Sequence, residues 1–569
     1  MTEASIKNDR FSELNEDLIH LIMFKLSDLD ATRMSTLSKR FFSSWLSFPV
    51  IDLDFSVFNG TPQDFYRFVR RSLRRDPQAL VPESFTASNF PLQTGDFKLS
   101  RETVKRIVQF CLDLPIKHLH LLCGGGCSFP TSLFSADHIK TLELESFNLE
   151  PRHLVLNCPS IEDFDVSHCT GLQSIEICSS VKLIHTIRLH KCNGLESVHV
   201  NLTGTTLGSF SCGFANKTRC DINLILASRK SLKLLELRHV DVTENWFNEH
   251  VPQFVALEIL KLEYCGPLRN MSIGTNNHHL KSLEDISNLY RPEISIRGCT
   301  IIKNLNMSNM CITNEWIQEN ICGLQFLVNL KFAHSRFVFD EPIKLCFASL
   351  KSLKLEFCLM PVEIEAPNLV SFTNKGSLQA DSSPSLALTF PNINEVYLEL
   401  DSNLMDFIRF FGHCKTLSMF LTEPALEELA YPKQQRRTII TSTPVLYAVN
   451  HLEITAQFCK FSSFVELVDT LLWLAPHPET IYIDDVLSNN RLGTEPKLSK
   501  IKLHYGTSAS GSKAEAEDCE TCCTLFPTAK YWRHCLTEVT LEEFNKYIHP
   551  KLHYFFMENA SQLSKITVL

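Results

Sequence analysis

Residues 163–169 read DFDVSHC and residues 186–192 read TIRLHKC, and this short pattern returns through much of the chain. Each copy places two apolar residues on either side of one other residue, and an alternation of this kind predicts a strand. Over the regular part, the first apolar positions follow one another at intervals of 22 to 25 residues. These positions are Leu119, Leu142, Phe164, Ile187, Phe210, Leu235 and Leu260 and, after an irregular stretch, Ile294, Leu330 and Leu353.

The length of this repeat predicts the architecture. A unit of about 23 residues cannot bury its own apolar face, so neighbouring units must stack and share one continuous core. In five copies a cysteine stands five residues after the first apolar position, at Cys169, Cys192, Cys265, Cys299 and Cys358. A small residue such as asparagine or cysteine in that place is typical of leucine-rich repeats. We therefore predict an α/β fold in which residues 116–505 form a leucine-rich-repeat solenoid, or horseshoe.

The residue between the two apolar positions of each copy is expected to point away from the core. In a solenoid these residues line the concave face, which commonly binds partners. Early copies have mostly acidic residues there and later copies basic ones, so we expect a charge gradient; ordinary solvated surface is the alternative at each single position. The predicted contacts to an unknown protein substrate are Glu143, Asp165, Arg188, Glu236, Lys261, Lys331 and Lys354.

Residues 9–54 follow a different, helical pattern. Leu14, Leu18, Ile22 and Leu26 form an apolar stripe at four-residue spacing. Asn15 supplies a side-chain acceptor for the first amides of this helix. A unit of roughly 40 residues seldom buries enough surface to be stable alone. Some of its large apolar side chains are therefore expected to face another protein.

This N-terminal block resembles an F-box. Residues 9–10 (DR), 14–17 (LNED) and 37–41 (LSKRF) match the plant F-box pattern, with Asn15 in place of the usual proline and Phe41 in place of the usual tryptophan. The resemblance implies docking on a Skp-family adaptor and, through it, on the cullin and RING subunits of a ubiquitin ligase. The adaptor contacts expected from it are Leu14, Leu18, Ile19, Ile22, Met23, Leu26, Leu37, Phe41 and Trp45.

The remaining segments complete the predicted organisation. They are a disordered N-terminus (1–8), a linker and N-terminal cap of the solenoid (55–115), a polar loop (506–524) and a small α/β C-terminal cap (525–569). The last of these resembles the FBD module of plant proteins, through Cys535, Leu536 and residues 557–569. Together with the F-box and the repeats, it identifies the chain as similar to the plant F-box/LRR group.

Composition narrows the classes of function. The net charge of −9 argues against a general nucleic-acid binder, because attraction to phosphate needs clustered positive charge. We find no apolar run near the roughly 18 residues that a membrane helix needs, and the polar start does not resemble a signal peptide. We therefore expect a cytoplasmic or nuclear protein. An odd number of cysteines, 21, without a secretory signal also disfavours a disulfide framework.

We predict no catalytic residue, no cofactor and no metal site. Cys519, Cys522, Cys523, His534 and Cys535 lie close together in sequence, but an adjacent His–Cys pair seldom reaches one zinc tetrahedron. The predicted function is a non-catalytic substrate receptor of a ubiquitin ligase. The alternative is a leucine-rich-repeat scaffold or receptor with a decayed F-box and no link to ubiquitin transfer. A third hypothesis is an enzyme that uses Cys127 or the C-terminal cysteines, for which a histidine base would be required.

Overall fold

The structure is a computed structural model, and it describes the chain in many segments. These are residues 14–56, 58, 60–73, 83–89, 97–129, 131–149, 152–202, 207–218, 220–226, 229–266, 268–273, 277–287, 293–338, 343–358, 362–376, 388–400, 408–422, 425–426, 446–456, 464–485, 499–506, 532–544 and 548–569. The predicted N-terminal segment 1–8 and all but Gly506 of the predicted polar loop lie outside them. The chain divides into two compact units, Met1–Cys299 and Thr300–Leu569.

The first unit begins with helices and continues mainly with strands. Its helices are α1 (Glu16–Met23), α2 (Asp28–Ser35), α3 (Lys39–Leu46), α4 (Pro62–Ser72), α5 (Phe97–Asp113) and α6 (Glu244–His250), with 3-10 turns at Thr131–Ser135 and Val251–Gln253. Its strands are β1 (Val50–Asp54), β2 (Ser84–Ser88), β3 (His118–Phe129), β4 (Thr141–Leu149), β5 (His153–Leu156), β6 (Asp163–Ser167), β7 (Ser174–Ile177), β8 (Thr186–His190), β9 (Ser197–Leu202), β10 (Ser209–Thr218), β11 (Asp221–Leu226), β12 (Leu234–Val240), β13 (Ile259–Glu263), β14 (Asn270–Ser272), β15 (Ser282–Ser287) and β16 (Glu293–Ser295).

Most of these strands form one parallel ladder, in the order β1, β2, β3, β4, β6, β8, β10, β12, β13 and β15. Each predicted repeat position from Leu119 to Leu260 pairs with the next one along this ladder, which confirms those strands. The ladder starts at β1, before the predicted start of the solenoid at residue 116. A second parallel ladder joins β5, β7, β9 and β11. Parallel strands linked by short returns are compatible with a leucine-rich-repeat solenoid.

One predicted rung was wrong. Ile294 lies in β16, which pairs with β14 in a separate two-stranded sheet, at Met271. The main ladder continues instead through Leu283 of β15, the partner of Leu260. Both ladders bury every second residue, so their local sequence patterns are alike. Spacing alone therefore did not tell a main strand from a return strand in this irregular region.

The second unit has the same construction. Its helices are α7 (Asn314–Asn320), α8 (Phe464–Leu474) and α9 (His549–Asn559), with 3-10 turns at Arg409–Phe411 and Trp532–His534. Its strands are β17 (Asn304–Ser308), β18 (Cys311–Thr313), β19 (Asn329–Ala333), β20 (Arg336–Val338), β21 (Ile343–Cys346), β22 (Ser352–Glu356), β23 (Val362–Glu365), β24 (Ser371–Lys375), β25 (Leu388–Thr389), β26 (Glu395–Leu400), β27 (Thr416–Leu421), β28 (His451–Ala456), β29 (Thr480–Asp485), β30 (Ser499–Tyr505), β31 (Leu536–Glu542) and β32 (Lys565–Val568).

The main ladder of this unit is parallel from β17 through β19, β22, β24, β26, β27 and β28 to β29. Its direction then reverses, because β30 is antiparallel to both β29 and β31. The return strands form two small parallel sheets, β18 with β20 and β21 with β23 and β25. The tail runs β31, α9, β32, which confirms the predicted order of strand, helix and strand.

The cysteines after the strands belong to the core. The thiol of Cys192 donates to the carbonyl of Val166 at 3.3 Å, and that of Cys265 to the carbonyl of Leu237 at 3.0 Å. In the second unit Cys358 donates to Phe332 O at 3.4 Å. Burial raises the pKa of the Cys192 thiol to about 12, so the thiol stays protonated and keeps its donor. These cysteines are therefore packing residues that link one rung to an earlier one.

Candidate interaction surfaces

The N-terminal helices begin with side-chain caps. The Asn15 side chain accepts from Leu18 N at 2.9 Å, Ser27 from Asp30 N at 3.1 Å, and Ser38 from Phe41 N at 3.2 Å. Each cap satisfies an amide that the first helical turn leaves without a backbone partner. Asn15 therefore still starts α1, although the F-box pattern has proline in its place.

The three helices enclose a small core of their own, which contains Ile19, Met23, Ala31, Phe41, Trp45 and Phe48. Four of the nine predicted adaptor contacts, Ile19, Met23, Phe41 and Trp45, lie in this core and are at most 8% exposed. These four side chains support the helices from inside, so they are not part of the surface that a partner of the folded bundle would contact.

Other apolar side chains of the bundle remain exposed. Of the predicted contacts, Leu18 is 46% exposed, Leu26 39% and Leu37 73%, while Leu14 and Ile22 are half-buried. Three further residues with the same property were not among the predicted contacts: Leu21, Phe24 and Phe42. We name Leu18, Leu21, Phe24, Leu26, Leu37 and Phe42, taken together, the bundle patch; they lie on α1, on α3 and in the segments between the helices. A helical wheel of each segment would have shown these residues beside the core stripe, but not which stripe faces inward.

Polar contacts also join α1 to α3 and to the residue that follows α3. His20 Nε2 lies 2.9 Å from Ser44 O and 3.2 Å from Ser47 Oγ, and the Ser47 hydroxyl donates to Glu16 at 2.5 Å. The His20 ring also meets Phe48 edge-on, at 5.5 Å between ring centroids. These contacts fix the position of α1 relative to α3, and therefore also the positions of the exposed side chains on the two helices.

The predicted substrate contacts of the first unit lie in one row. Glu143, Asp165, Arg188, Glu236 and Lys261 occupy equivalent positions of the main ladder, with Ser211 between Arg188 and Glu236 and with Glu284 after Lys261. Their side chains stand on the face opposite the apolar core, because neighbouring strand residues alternate between faces. The structure shows this alignment; that a substrate binds there stays a prediction.

Charges along this row are largely compensated between strands. Arg188 lies 3.7 Å from Asp165, and Lys261 lies 2.8 Å from Glu284. The Ser211 hydroxyl donates to Glu236 at 2.9 Å and contacts His190 at 3.0 Å. Burial raises the pKa of Asp165, in spite of Arg188, and lowers the pKa of His190. In this unit the row therefore mixes acidic and basic side chains along its length, rather than changing smoothly from acidic to basic.

In the second unit the predicted contacts Lys331 and Lys354 pair across β19 and β22. Lys331 lies 2.7 Å from Glu356, and Lys375 on β24 lies 3.7 Å from the same carboxylate. Lys354 is exposed. This part of the ladder therefore has more positive than negative side chains.

The cysteines of the enzyme hypothesis lie only partly within the chain that the structure describes. Cys519, Cys522 and Cys523 and the side chain of Cys127 lie outside the described residues. Cys535 Sγ lies 3.2 Å from His477 Nε2, a distance at which imidazole can accept a thiol proton. The thiol is buried, so a substrate carbonyl has no open approach to it. Within the described residues no cluster of three or more His, Cys, Asp or Glu has the arrangement of a metal site.

No helix in the described segments combines the length and apolar character needed to cross a membrane.

No protein-family model matches the chain. It is 24% identical over 393 residues to an F-box/FBD/LRR-repeat protein of Arabidopsis thaliana, an alignment that covers 65% of this chain and 77% of that relative. A second protein of that description from the same plant is 23% identical over 264 residues, which cover 44% of this chain and 60% of the relative. A third is 26% identical over 216 residues, 34% of this chain and 48% of the relative. These relatives confirm the resemblance to plant F-box/LRR-repeat proteins.

Proposed function

We propose that this chain is the substrate-recognition subunit of an SCF-type cullin–RING ubiquitin ligase. The observation that carries the proposal is the bundle patch: its six apolar side chains, on α1, on α3 and in the segments between the helices, stay exposed while the bundle has a buried core of its own. Full burial of one such leucine or phenylalanine is worth about 1.5–3 kcal/mol, so a partner that covers several of them gains substantial affinity. The resemblance of residues 9–54 to an F-box makes a Skp-family adaptor the expected partner.

In this proposal the two kinds of surface have separate tasks. The bundle patch joins the chain to the adaptor and thereby to cullin and RING subunits, in the cytoplasm or nucleus. The exposed rows of the main ladders, with Glu143, Asp165, Arg188, Glu236 and Lys261 in one unit and Lys331 and Lys354 in the other, hold the target protein. The chain supplies no catalytic group of its own; it accelerates transfer by holding target lysines close to the charged ubiquitin-conjugating enzyme.

Co-purification with a Skp-family adaptor tests the proposal. Leu18→Asp combined with Leu37→Asp places two charges on the bundle patch without touching its core, and we expect it to abolish adaptor binding. Leu183→Asp is the matched control, because Leu183 is 49% exposed but lies in the segment between β7 and β8, far along the chain from the bundle. Far-UV circular dichroism should show that all variants keep the strands of the wild type.

Two results would contradict the proposal. Retention of the adaptor by the double variant would show that the bundle patch is not its docking surface. Absence of the adaptor from the wild-type complex, with target proteins still bound, would identify the chain as a protein-binding scaffold that is not coupled to ubiquitin transfer.

A further inference from the structure

Three consecutive rungs of the second unit bring three lysines together on the exposed face of the ladder. Lys331 on β19 pairs with Lys354 on β22, and two residues further along the strands Glu356 pairs with Lys375 on β24. These four side chains thus occupy neighbouring places on one sheet face. They comprise three cations and one carboxylate, a net charge of +2.

Glu356 lies at the centre of this group. It accepts from Lys331 at 2.7 Å and lies 3.7 Å from Lys375. Burial acts to raise the pKa of Glu356, but the hydrogen bond from Lys331 and the fields of Lys331, Lys375 and Lys354 hold it below its ordinary value. The carboxylate is therefore ionised at neutral pH and orients the ammonium groups, yet it compensates only one of the three positive charges.

A flat aromatic surface adjoins the lysines. The residues that directly follow β19 and β22 are His334 and Phe357, and their rings are stacked at 4.8 Å between centroids with only 9° between the ring planes. Phe357 is 53% exposed and has a φ of 53°, a left-handed conformation that is rare for a bulky residue. On the next rung stands Gly376, where a Cβ would lie 2.8 Å from the Phe357 ring. Any side chain larger than that of glycine at position 376 would therefore collide with the Phe357 ring.

The first unit contains the same aromatic pair without the surplus charge. His239 lies within β12 and Tyr264 directly follows β13, at the equivalent repeat positions; their φ angles are 55° and 50°, and their rings are stacked at 5.0 Å. The charged residues around this pair are Glu236, Arg238, Lys261, Glu263 and Glu284, whose net charge is −1. The stack is thus a feature of the repeat, whereas the positive surplus belongs to the Phe357 site.

We propose that Lys331, Lys354, Lys375 and the exposed ring of Phe357 bind an acidic peptide segment that contains one aromatic side chain. Carboxylates of the segment would meet the lysine ammonium groups, and its ring would lie on Phe357. This inference rests on the proposed function, in which the exposed face of the ladder holds the target. Charge complementarity favours a short acidic peptide over a nucleic acid, because a local charge of +2 on a chain of net charge −9 is too small to hold a phosphate backbone.

The test is fluorescence anisotropy with the full chain and a labelled decapeptide of Asp and Glu residues around one Phe. We expect binding that weakens with added salt, because the contacts are ionic and exposed. Replacing the peptide's Phe by Ala should weaken it about fivefold, the value of one aromatic contact. Phosphoserine peptides matched to the acidic peptide in total charge separate carboxylate from phosphate recognition: tighter binding to carboxylates supports the proposal, and tighter binding to phosphoserine overturns it.

Variants of the chain locate the site. Lys331→Glu with Lys354→Glu should weaken peptide binding about tenfold or more. Phe357→Ala should weaken it about fivefold, while Phe357→Tyr should restore it, because the ring is kept. Tyr264→Ala is the matched control: it removes the equivalent ring of the first unit and should leave the affinity unchanged. Equal losses for Tyr264→Ala and Phe357→Ala, or tighter binding of an RNA decamer than of the peptide, would overturn the proposal.

Adaptor co-purification, measured on the same variants, separates this inference from the proposed function. The Lys331, Lys354 and Phe357 variants should keep the adaptor. If the wild type binds the adaptor but not the acidic peptide, the present inference fails and the ligase function stands. If it binds the peptide but not the adaptor, the ligase function fails and the peptide site stands.

Discussion

Replacement of Cys192 by alanine tests whether the cysteines after the strands are structural. Cys192 is 1% exposed, and its thiol donates to Val166 O at 3.3 Å. Loss of the sulfur forfeits about 1 kcal/mol of transfer free energy. The residual cavity adds about 0.5 kcal/mol, and loss of the weak S–H···O bond adds about 0.5 kcal/mol. We therefore expect Cys192→Ala to lower the free energy of unfolding by about 2 kcal/mol.

Serine at the same position separates hydrogen bonding from packing. The chain itself has a serine at this repeat position: Ser335, in the rung of Leu330, donates to Ala333 O of its own rung at 3.0 Å. Cys192→Ser should therefore cost about 1 kcal/mol, since the donor is kept. Urea unfolding followed by far-UV circular dichroism measures both variants. Cys178→Ala serves as the control, since Cys178 is only half-buried and should be close to neutral.

Two outcomes would refute this reasoning. If Cys192→Ser is as destabilised as Cys192→Ala or more so, the thiol acts only as an apolar filler and the bond to Val166 has no energetic role. If Cys192→Ala is neutral while the protein loses a ligand or an activity, the thiol is functional and not structural.

Three further predictions concern stability. Burial raises the pKa of Cys192 from an ordinary value of 9.0 to about 12. The contribution of this thiol to stability is therefore complete below pH 9 and falls by about 1.4 kcal/mol per pH unit as the pH rises toward the folded pKa. Cys192→Ser should remove this slope from a plot of the urea midpoint against pH. Gly171 has a φ of 90°, and a Cβ there would lie 2.5 Å from Leu149 O. Gly171→Ala should therefore lower the free energy of unfolding by about 2–3 kcal/mol and with it the thermal midpoint. An unchanged midpoint would show that this turn adapts to the new side chain. Phe41→Ala should destabilise the bundle by about 3–5 kcal/mol, because Phe41 lies in the bundle core. Phe42→Ala, at a neighbouring position that is 49% exposed, should change the stability by no more than about 0.5 kcal/mol. Proteolysis of the N-terminal helices measures both, and similar losses for the two variants would mean that the bundle core is not the one described.

The strands of the first unit were predictable because their signal is local and regular. From Leu119 to Leu260 each rung repeats the same alternation at nearly the same interval, and the pairing follows that interval residue by residue. After Leu353 the rungs pass through Phe372, Val396, Leu417, Leu452 and Ile481, with steps of 19, 24, 21, 35 and 29 residues. Because the connections between these strands differ in length, a search for constant spacing misses these repeats, although buried and exposed residues still alternate within each strand.

In the N-terminal bundle the helices were predictable, but the side of each helix that is buried was not. Its first helix was predictable from the Asn15 cap and the apolar spacing, but within the predicted stripe Leu18 and Leu26 are exposed, and Leu14, which precedes α1, packs against the core. Ile19 and Met23 pack on Phe41 and Trp45 instead. In a short helix that is apolar nearly all the way round, periodicity does not select one face, because α2 and α3 determine which side is covered.

From the sequence alone it followed that the repeats stack, because a unit of about 23 residues has no other way to bury its apolar positions. The resemblance to leucine-rich repeats added a structural role for the cysteine that follows five of the strands. Only the tertiary structure decided which apolar side chains of the bundle remain exposed, which lysines share Glu356, and which rung carries an uncovered aromatic ring. Those properties depend on side chains from neighbouring rungs or helices, 20 or so residues apart, and a contact across that separation exists only once the chain is folded.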